Sequence, residues 1–349
     1  MYFELQVLEK SRIHINHTKG NPMKATIYFS LAASVVLAAC GGGGSSTPAA
    51  HAAAATPPVS VAANFVTTVP ASTYIGQNAA AFNLLNAERS KCGFGLLAQN
   101  AQLDAAATSH ADYLIANNLL THDEIAGKQG FSGANPSARA QAKGYSSPQV
   151  SEAAGGSAPG AVAMGETAVR RLMGMPYHLR GMVGGMRDVG IAARQPSDSG
   201  STVNLAMTVF DFGYAVAAGP QLMATADVMT YPCQGSSGVA RSVVGEIPNP
   251  VPEREYTNPV GTPILILVRP ENTVSISSAA MIKVATSATV ALRAPMTVAN
   301  DPNKVIAKHE AFVMPDAALD ANSQYQVTVV GTNNGTAFSR TFTFTTGSN

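Results

Sequence analysis

The pattern of apolar residues changes at a proline-rich segment, and this change constrains the fold of the chain more than any other feature. Residues 245–263, "GEIPNPVPEREYTNPVGTP", contain five prolines. Before this segment, apolar residues recur at helical spacing in several stretches, whereas after it they occur only in short alternating runs. The pattern therefore predicts an α+β region followed by an all-β region.

The first region, residues 74–220, is predicted to hold helices and then strands. Helical spacing covers residues 78–89 and 161–173, and Asn100 is a suitable N-cap for a further helix that runs to about Asn117. Asn135-Pro136 predicts the start of a short helix. Residues 188–194 and 202–216 are β-branched or alternating, as strands are. This order favours a layered sandwich in which helices cover a sheet.

Residues 264–349 are predicted to form a β-sandwich of the immunoglobulin-like type. Strand-like runs at 264–268, 273–277, 288–294, 325–331 and 340–346 are separated by turn residues. Tyr325 stands at the start of one such run, as in a tyrosine corner, which stabilises these folds. We interpret residues 221–263 as an extension and a proline-rich linker between the two regions.

The amino terminus has the pattern of a bacterial export signal. From Met23 the chain reads "MKATIYFSLAASVVLAAC", a lysine and an apolar run that ends in small residues before Cys40. This arrangement resembles a lipobox, which would make Cys40 the lipidated first residue and a membrane anchor. The alternative is a soluble secreted protein that is cleaved near the same alanines. We interpret residues 1–40 as the signal region, with 1–22 as an over-extended start, and residues 41–73 as a flexible tether.

Cys92 and Cys233 are the other two cysteines of the chain. In an exported protein two such cysteines are predicted to form a disulfide. A metal site built on them would lack further cysteine ligands. A catalytic role for Cys92 beside Lys91 is the remaining alternative.

Composition excludes one large class of function. The formal net charge is +1 and only 12% of residues are charged. A nucleic-acid-binding surface needs clustered basic residues, so none is expected here.

Several polar side chains of the first region are candidates for a chemical site, although each also has a structural interpretation. A histidine within an apolar helical face, such as His110, is usually packed and hydrogen-bonded. His122 follows a predicted helix end, where a histidine interacts with the last carbonyl groups. The other candidates are Glu124, Glu152, Glu166 and His178.

Three stretches of the sequence together favour a functional site over these structural interpretations. "FNLLNAERSKCGFGLLAQNAQLDAAATSHADYLIANNLLTHDE", "NPSARAQAKGYSSPQVSEAAGG" and "AVRRLMGMPYHLRGMVGGMRDVGIA" occur in this order. They resemble bacterial members of the CAP superfamily (cysteine-rich secretory, antigen 5 and pathogenesis-related proteins, or SCP-like domains). The resemblance covers about residues 78–217 and implies a CAP-type α-β-α sandwich with a central cleft.

The resemblance also implies which residues line the cleft. The family places two histidines and two acids there, and His122, Glu152 and His178 match three of the four. The second acid falls at Met175, which departs from the pattern. Further departures are Ala153, Leu172 and Leu179, which replace the family's Asn, Trp and Arg. These losses disfavour catalysis, so we expect binding rather than enzymatic activity.

Three functions remain open. The first is an exported, envelope-anchored or secreted binding module, with a lipid, sterol, cell-wall or protein ligand in the His122/Glu152/His178 cleft. The second is a metal-dependent hydrolase of peptide or cell-wall substrates, since two imidazoles and a carboxylate are ligands for a divalent ion such as Zn²⁺. It would need Glu124 or Glu166 to act as the base. The third is a structural envelope protein.

Overall fold

Nine elements build the first half of the chain, in a computed structural model that describes residues 60–199 and 205–348. The predicted signal region, Cys40 and the start of the tether lie outside these residues. The helices are α1 (Gly76–Lys91), α2 (Ala101–Asn117), α3 (Pro136–Ala142), α4 (Met164–Met173) and α5 (Pro176–Val183), and the strands are β1 (Ala98–Gln99), β2 (Val150–Ser157), β3 (Asp188–Arg194) and β4 (Ala206–Gly213). A short 3₁₀ turn, Pro196–Ser199, follows β3. Within the described residues no helix is both long and apolar enough to cross a membrane.

The four strands form one sheet that is covered by helices on both faces. Their order is β1-β3-β4-β2, which leaves β2 at an edge. Alternation along β4 sends Phe210 and Phe212 to the face covered by α1, α4 and α5, and Met207 and Val209 to the face covered by α2. These layers form an α-β-α sandwich, and together with the all-β remainder they confirm the α+β class.

Gly190 in β3 allows α2 to pack closely on the sheet. A Cβ atom at this position would lie 2.0 Å from the backbone carbon of Leu103. Any other residue would therefore push the helix away from the strand, because packed interiors leave no room for such a shift.

The helix caps follow the sequence closely, and two elements depart from our predictions. The side chain of Asn100 accepts hydrogen bonds from the backbone N–H groups of Gln102 and Leu103 and so begins α2. Helix α4 begins only at Met164, so the start of the helical stretch predicted at residues 161–173 lies outside it, and Val162 is 91% exposed. Helix α5, which we did not predict, begins at Pro176, where the missing N–H of proline costs nothing.

The second half of the chain consists of nine strands in two sheets. The strands are β5 (Met229–Tyr231), β6 (Ser236–Val239), β7 (Ile264–Leu267), β8 (Val274–Lys283), β9 (Ala288–Thr289), β10 (Met296–Thr297), β11 (Glu310–Val313), β12 (Gln324–Asn333) and β13 (Thr336–Thr346). One sheet has the order β10-β11-β7-β5 and the other β6-β13-β12-β8-β9. The Tyr325 hydroxyl accepts a hydrogen bond from the backbone N–H of Asp320 at 2.9 Å, as the tyrosine-corner pattern predicts.

The sheet β10-β11-β7-β5, here called the middle sheet, is buried on both faces. In β7, Ile264 and Ile266 pack against the five-stranded sheet, whereas Leu265 packs with the helices of the first half. Phe312 of β11 joins the same cluster as Leu265. The middle sheet therefore belongs to two cores at once, and residues 58–349 form one compact unit.

Residues 221–263, which we interpreted as an extension and linker, contribute to both sheets of the second half. Strand β5 pairs with β7, and β6 pairs with β13. An isolated bridge joins Ser242 to Gly261, and Val243, Val251 and Val260 are buried in the core that contains α1 and α4.

A disulfide connects the two halves. It joins Cys92, which follows α1, to Cys233, which lies between β5 and β6, with a Cα–Cα distance of 5.4 Å. This confirms the predicted pairing, so Cys92 is not a free thiol in this structure.

Candidate functional site

An open cavity lies at the free edge of β2. Its volume is about 180 Å³, room for a small ligand, since one water needs only roughly 10–15 Å³. The walls come from the loop after α2, the end of β2, helices α4 and α5, and residues 245–247 of the second half. The lining residues are Leu120, Thr121, His122, Ala154, Gly155, Gly156, Ser157, Met164, Thr167, Ala168, Arg171, Leu172, Met175, His178, Thr208, Gly245 and Ile247.

His122 reaches this cavity because α2 ends at Asn118. This residue adopts the left-handed conformation with φ 51°, which asparagine tolerates better than most residues, and the chain then turns toward the sheet. The His122 side chain is 45% exposed, and its Nδ1 lies 2.8 Å from Oε1 of Glu152. Since a carboxylate only accepts hydrogen bonds, Nδ1 carries the proton and Nε2 is left as an acceptor.

Glu152 lies behind the His122 ring and is almost fully buried. Its Oε2 accepts a hydrogen bond from Nη2 of Arg139 at 2.5 Å, and its Oε1 also lies 3.4 Å from Nε2 of His110. Burial alone would raise the pKa of Glu152. The hydrogen bond from His122 and the charges of His110 and Arg139 outweigh burial and lower this pKa. Glu152 is therefore a buried carboxylate that stays ionised.

His178 faces the cavity from α5, next to His122. The centroids of the two rings are 6.0 Å apart. Its Nδ1 lies 2.9 Å from Oε1 of Glu246, a residue of the second half. The Nε2 atoms of His122 and His178 have no hydrogen-bond partner among the residues that the structure describes, so both rings present an acceptor at the cavity.

The structure therefore brings His122, Glu152 and His178 together, but in unequal roles. The two imidazoles line the cavity, whereas Glu152 contacts the Nδ1 edge of one ring and does not line it. Within 60–199 and 205–348, no group of three or more His, Cys, Asp or Glu side chains is arranged to hold a metal ion. The two rings alone are the metal-binding groups that face the cavity.

A network of buried charged side chains lies behind Glu152 and holds the site in place. His110 is fully buried, and its ring contacts Oε1 of Glu124 and the carbonyl oxygen of Thr121, each at 2.9 Å. Glu124 also accepts hydrogen bonds from the backbone N–H groups of Ser132 and Gly133. His110 and Glu124 are thus structural, and Glu124 does not reach the cavity as a base.

Asp211 of β4 completes this network. It lies opposite Glu152 in the ladder between β2 and β4, it is fully buried, and neither of its carboxylate oxygens accepts a hydrogen bond from a donor group of the described residues. Burial, and then the charge of Glu152, raise the pKa of Asp211 well above its usual range. Two adjacent buried carboxylates cannot both ionise easily, so Glu152 holds the charge and Asp211 holds a proton.

Asp211→Asn should therefore become increasingly favourable as the pH rises. The unfolded chain releases this proton near pH 3.9, whereas the folded protein keeps it to higher pH, so Asp211 favours folding at low pH and this contribution is lost as the pH rises. We expect the stability of the variant relative to wild type to increase between pH 4 and pH 8. Urea unfolding at both pH values measures this difference, with Asp112→Asn, at a partly exposed pair with Arg194, as the control. A relative stability that falls over this range would contradict the assignment.

Sequence reasoning missed three groups of the site. Arg139 lies on α3 and carried no signal beyond its place in a short amphipathic helix. Asp211 stands within an apolar strand, where a lone acid is itself a signal, because isolated charges are rarely buried. Glu246 lies among the prolines of the segment that we interpreted as a linker. The candidate Glu166 is exposed and does not line the cavity, and Arg170, one turn further along α4, pairs with Glu88 at 2.9 Å.

Comparisons with known proteins found a family model and solved structures that are similar to part of this chain. Residues 82–212 match the model of the cysteine-rich secretory protein family, CAP. The chain is also similar to a solved structure, an extracellular protein containing an SCP domain from Bacillus anthracis, with a TM-score of 0.31 and 18% identity. The match covers 40% of this chain and 41% of that protein. A comparison with curated proteins found no match.

The family match also locates the site residues along the chain. Residues 82–212, which match the CAP family model, include His122, Glu152 and His178, whereas Glu246 lies beyond the matched residues.

Proposed function

We propose that this protein binds a small ligand with an apolar body and a hydrogen-bond-donating head in the cavity beside β2, outside the cytoplasm. The observation that supports this most directly is the composition of the cavity wall. Leu120, Met164, Leu172, Met175 and Ile247 give it an apolar surface, and the two imidazoles lie among them. Binding sites for small molecules combine apolar walls with a few fixed polar groups in this way.

The cavity is accessible from solvent. Leu120 is 50% exposed and Ile247 is 68% exposed, and both line the opening side. Exposed apolar residues that are grouped at a concave site typically mark a place where a ligand or partner binds. A ligand that covered these side chains would remove apolar area from water, which supports binding.

The polar groups of the cavity define which polar head group a ligand must have to bind there. Because both rings have Nδ1 protonated toward a carboxylate, each neutral ring offers Nε2 as an acceptor. A ligand head with O–H or N–H donors would satisfy both acceptors. A lipid or sterol hydroxyl and an amide of a cell-wall peptide are heads of this kind.

Export rests on two independent features. The pattern before Cys40 resembles a lipoprotein signal, and a structural disulfide such as Cys92–Cys233 is typical of oxidising surroundings and rare in the cytosol. We propose that the mature protein is anchored to the bacterial cell envelope through a lipid on Cys40, with residues 41–73 as a tether. The immunoglobulin-like assignment of residues 264–349 belongs to the same proposal.

Metal-dependent hydrolysis finds less support in the geometry. Catalytic zinc sites use three protein ligands and one open position. The described residues present only two imidazoles at the cavity, since Glu152 lies on the far side of the His122 ring. The residues present do not fit a catalytic zinc ion, so we derive no reaction step from one.

Gly155→Leu should block the cavity without disturbing the fold. A Cβ atom at Gly155 would meet no atom within 4 Å, although the residue lines the cavity, so a leucine there has room to fill it. We expect binding of N-phenyl-1-naphthylamine, an apolar fluorescent probe with one N–H donor, to weaken about tenfold or more. Fluorescence titration measures the change, and thermal unfolding checks the fold.

Gly181→Leu is the matched control for this experiment. Gly181 lies in α5 outside the cavity lining, and its Cβ would also meet no atom within 4 Å. The control should bind the probe as wild type does. Equal affinity of the two leucine variants, or no binding by wild type, would contradict the proposed function.

A further inference from the structure

Glu246 is a fully buried residue between β6 and β7, and its carboxylate lies at the start of α5. Its Oε1 accepts two hydrogen bonds from the same residue, one from the backbone N–H of His178 and one from Nδ1 of its ring, each at 2.9 Å. A single oxygen thus fixes both the backbone and the side chain of His178.

The first turn of α5 has no hydrogen-bond acceptor of its own, so an acceptor from another part of the chain can bind there. Met175 at the N-cap makes no side-chain hydrogen bond to the helix, and Pro176 has no N–H. The free N–H groups of a first turn attract an anion, and the helix dipole favours it there. Glu246 therefore acts as a cap for α5 that is supplied by a distant part of the chain.

The position of Glu246 is itself held in place. The Tyr256 hydroxyl donates a hydrogen bond to the backbone carbonyl oxygen of Glu246, and Tyr256 packs against the core of the first half. The two neighbours of Glu246, Gly245 and Ile247, line the cavity. The second carboxylate oxygen, Oε2, is buried and has no hydrogen-bond partner among the described residues.

We infer that Glu246 is a positioning residue of the cavity. It sets the Nδ1–H tautomer of His178 and aims Nε2 at the ligand, as Glu152 does for His122. The site consequently has two histidine–carboxylate pairs, one of which depends on a residue outside 82–212. The inference about the ring stands on geometry alone, whereas its effect on ligand affinity rests on the proposed function.

Nitrogen NMR of the full-length protein labelled with ¹⁵N-histidine tests the ring directly. Wild type should show His178 as the Nδ1–H tautomer. Glu246→Leu should shift His178 toward the Nε2–H tautomer. Glu246→Gln, which keeps the shape, should move the Nδ1–H proton signal upfield, because a neutral amide is a weaker acceptor than a carboxylate. The glutamine variant keeps the test usable if the leucine variant does not fold.

Glu310→Gln is the matched control, since Glu310 also reaches α5 from the second half. It pairs with Arg180 at 2.7 Å and does not line the cavity beside β2. This variant should leave the signals of His178 unchanged. If neither Glu246 variant changes those signals more than Glu310→Gln does, the inference is wrong.

Affinity for N-phenyl-1-naphthylamine separates this inference from the proposed function. Glu246→Leu should weaken binding about tenfold, while Glu310→Gln should not. Failure of wild type to bind the probe would count against the proposed function and leave the NMR result to decide the role of Glu246. A changed tautomer with unchanged affinity would overturn the claim that Glu246 belongs to the ligand site.

Discussion

Replacing Arg139 by leucine should lower the free energy of unfolding by about 3–5 kcal/mol, which is the typical cost of breaking a buried ion pair. Its fully buried guanidinium contacts Glu152 at 2.5 Å and lies 3.8 Å from Glu124. Without Arg139, the carboxylates below the cavity would face each other with only histidines for compensation. Burying an uncompensated charge is among the largest penalties a single substitution can impose.

Urea unfolding at pH 7 measures this loss, and Arg194→Leu is the control. Arg194 pairs with Asp112 at 2.9 Å, but both side chains are partly exposed. A pair that is screened by solvent contributes at most about 1 kcal/mol. If the two variants lost similar amounts of stability, the buried network could not depend on Arg139 in the way described.

Removing the disulfide should have an effect of similar size. Cys92 and Cys233 are 141 residues apart in sequence, and closing so long a loop restricts the unfolded chain strongly. For the double variant Cys92→Ser/Cys233→Ser we expect a loss of between about 2 and 5 kcal/mol, with the upper value given by chain entropy.

Denaturant unfolding with and without a reducing agent checks this prediction. Reduced wild type should unfold at the same denaturant concentration as the double variant, and the reducing agent should leave the double variant unchanged. A wild-type protein that is equally stable in both conditions would show that the bridge does not constrain its unfolded state.

Much of the first half could be predicted from the sequence because its signals are local. Asn100 begins α2, and Asn135-Pro136 begins α3, since the cap and the first turn are set by neighbouring residues. The confirmed disulfide followed from the compartment and the number of cysteines. The place of His122, Glu152 and His178 came from resemblance to a family and not from periodicity.

The groups that complete the site could not be predicted, because they depend on contacts between distant segments. Arg139 on α3 and Asp211 on β4 come next to Glu152 only in the folded chain. Glu246 is 68 residues from His178 and lies among prolines, which indicate a linker when read locally. Only the docking of the second half, through Leu265 and Phe312, brings it to α5.

Because the middle sheet belongs to both cores, neither half of this chain can be transferred to another protein on its own. A β-region that serves only as a stalk can be moved to another host, because its outer faces are polar. Here, transplanting residues 264–349 would leave Leu265 and Phe312 on an uncovered apolar surface, and truncating the chain after residue 212 would remove the surface that packs against α5. Protein engineering should therefore treat residues 58–349 as a single unit.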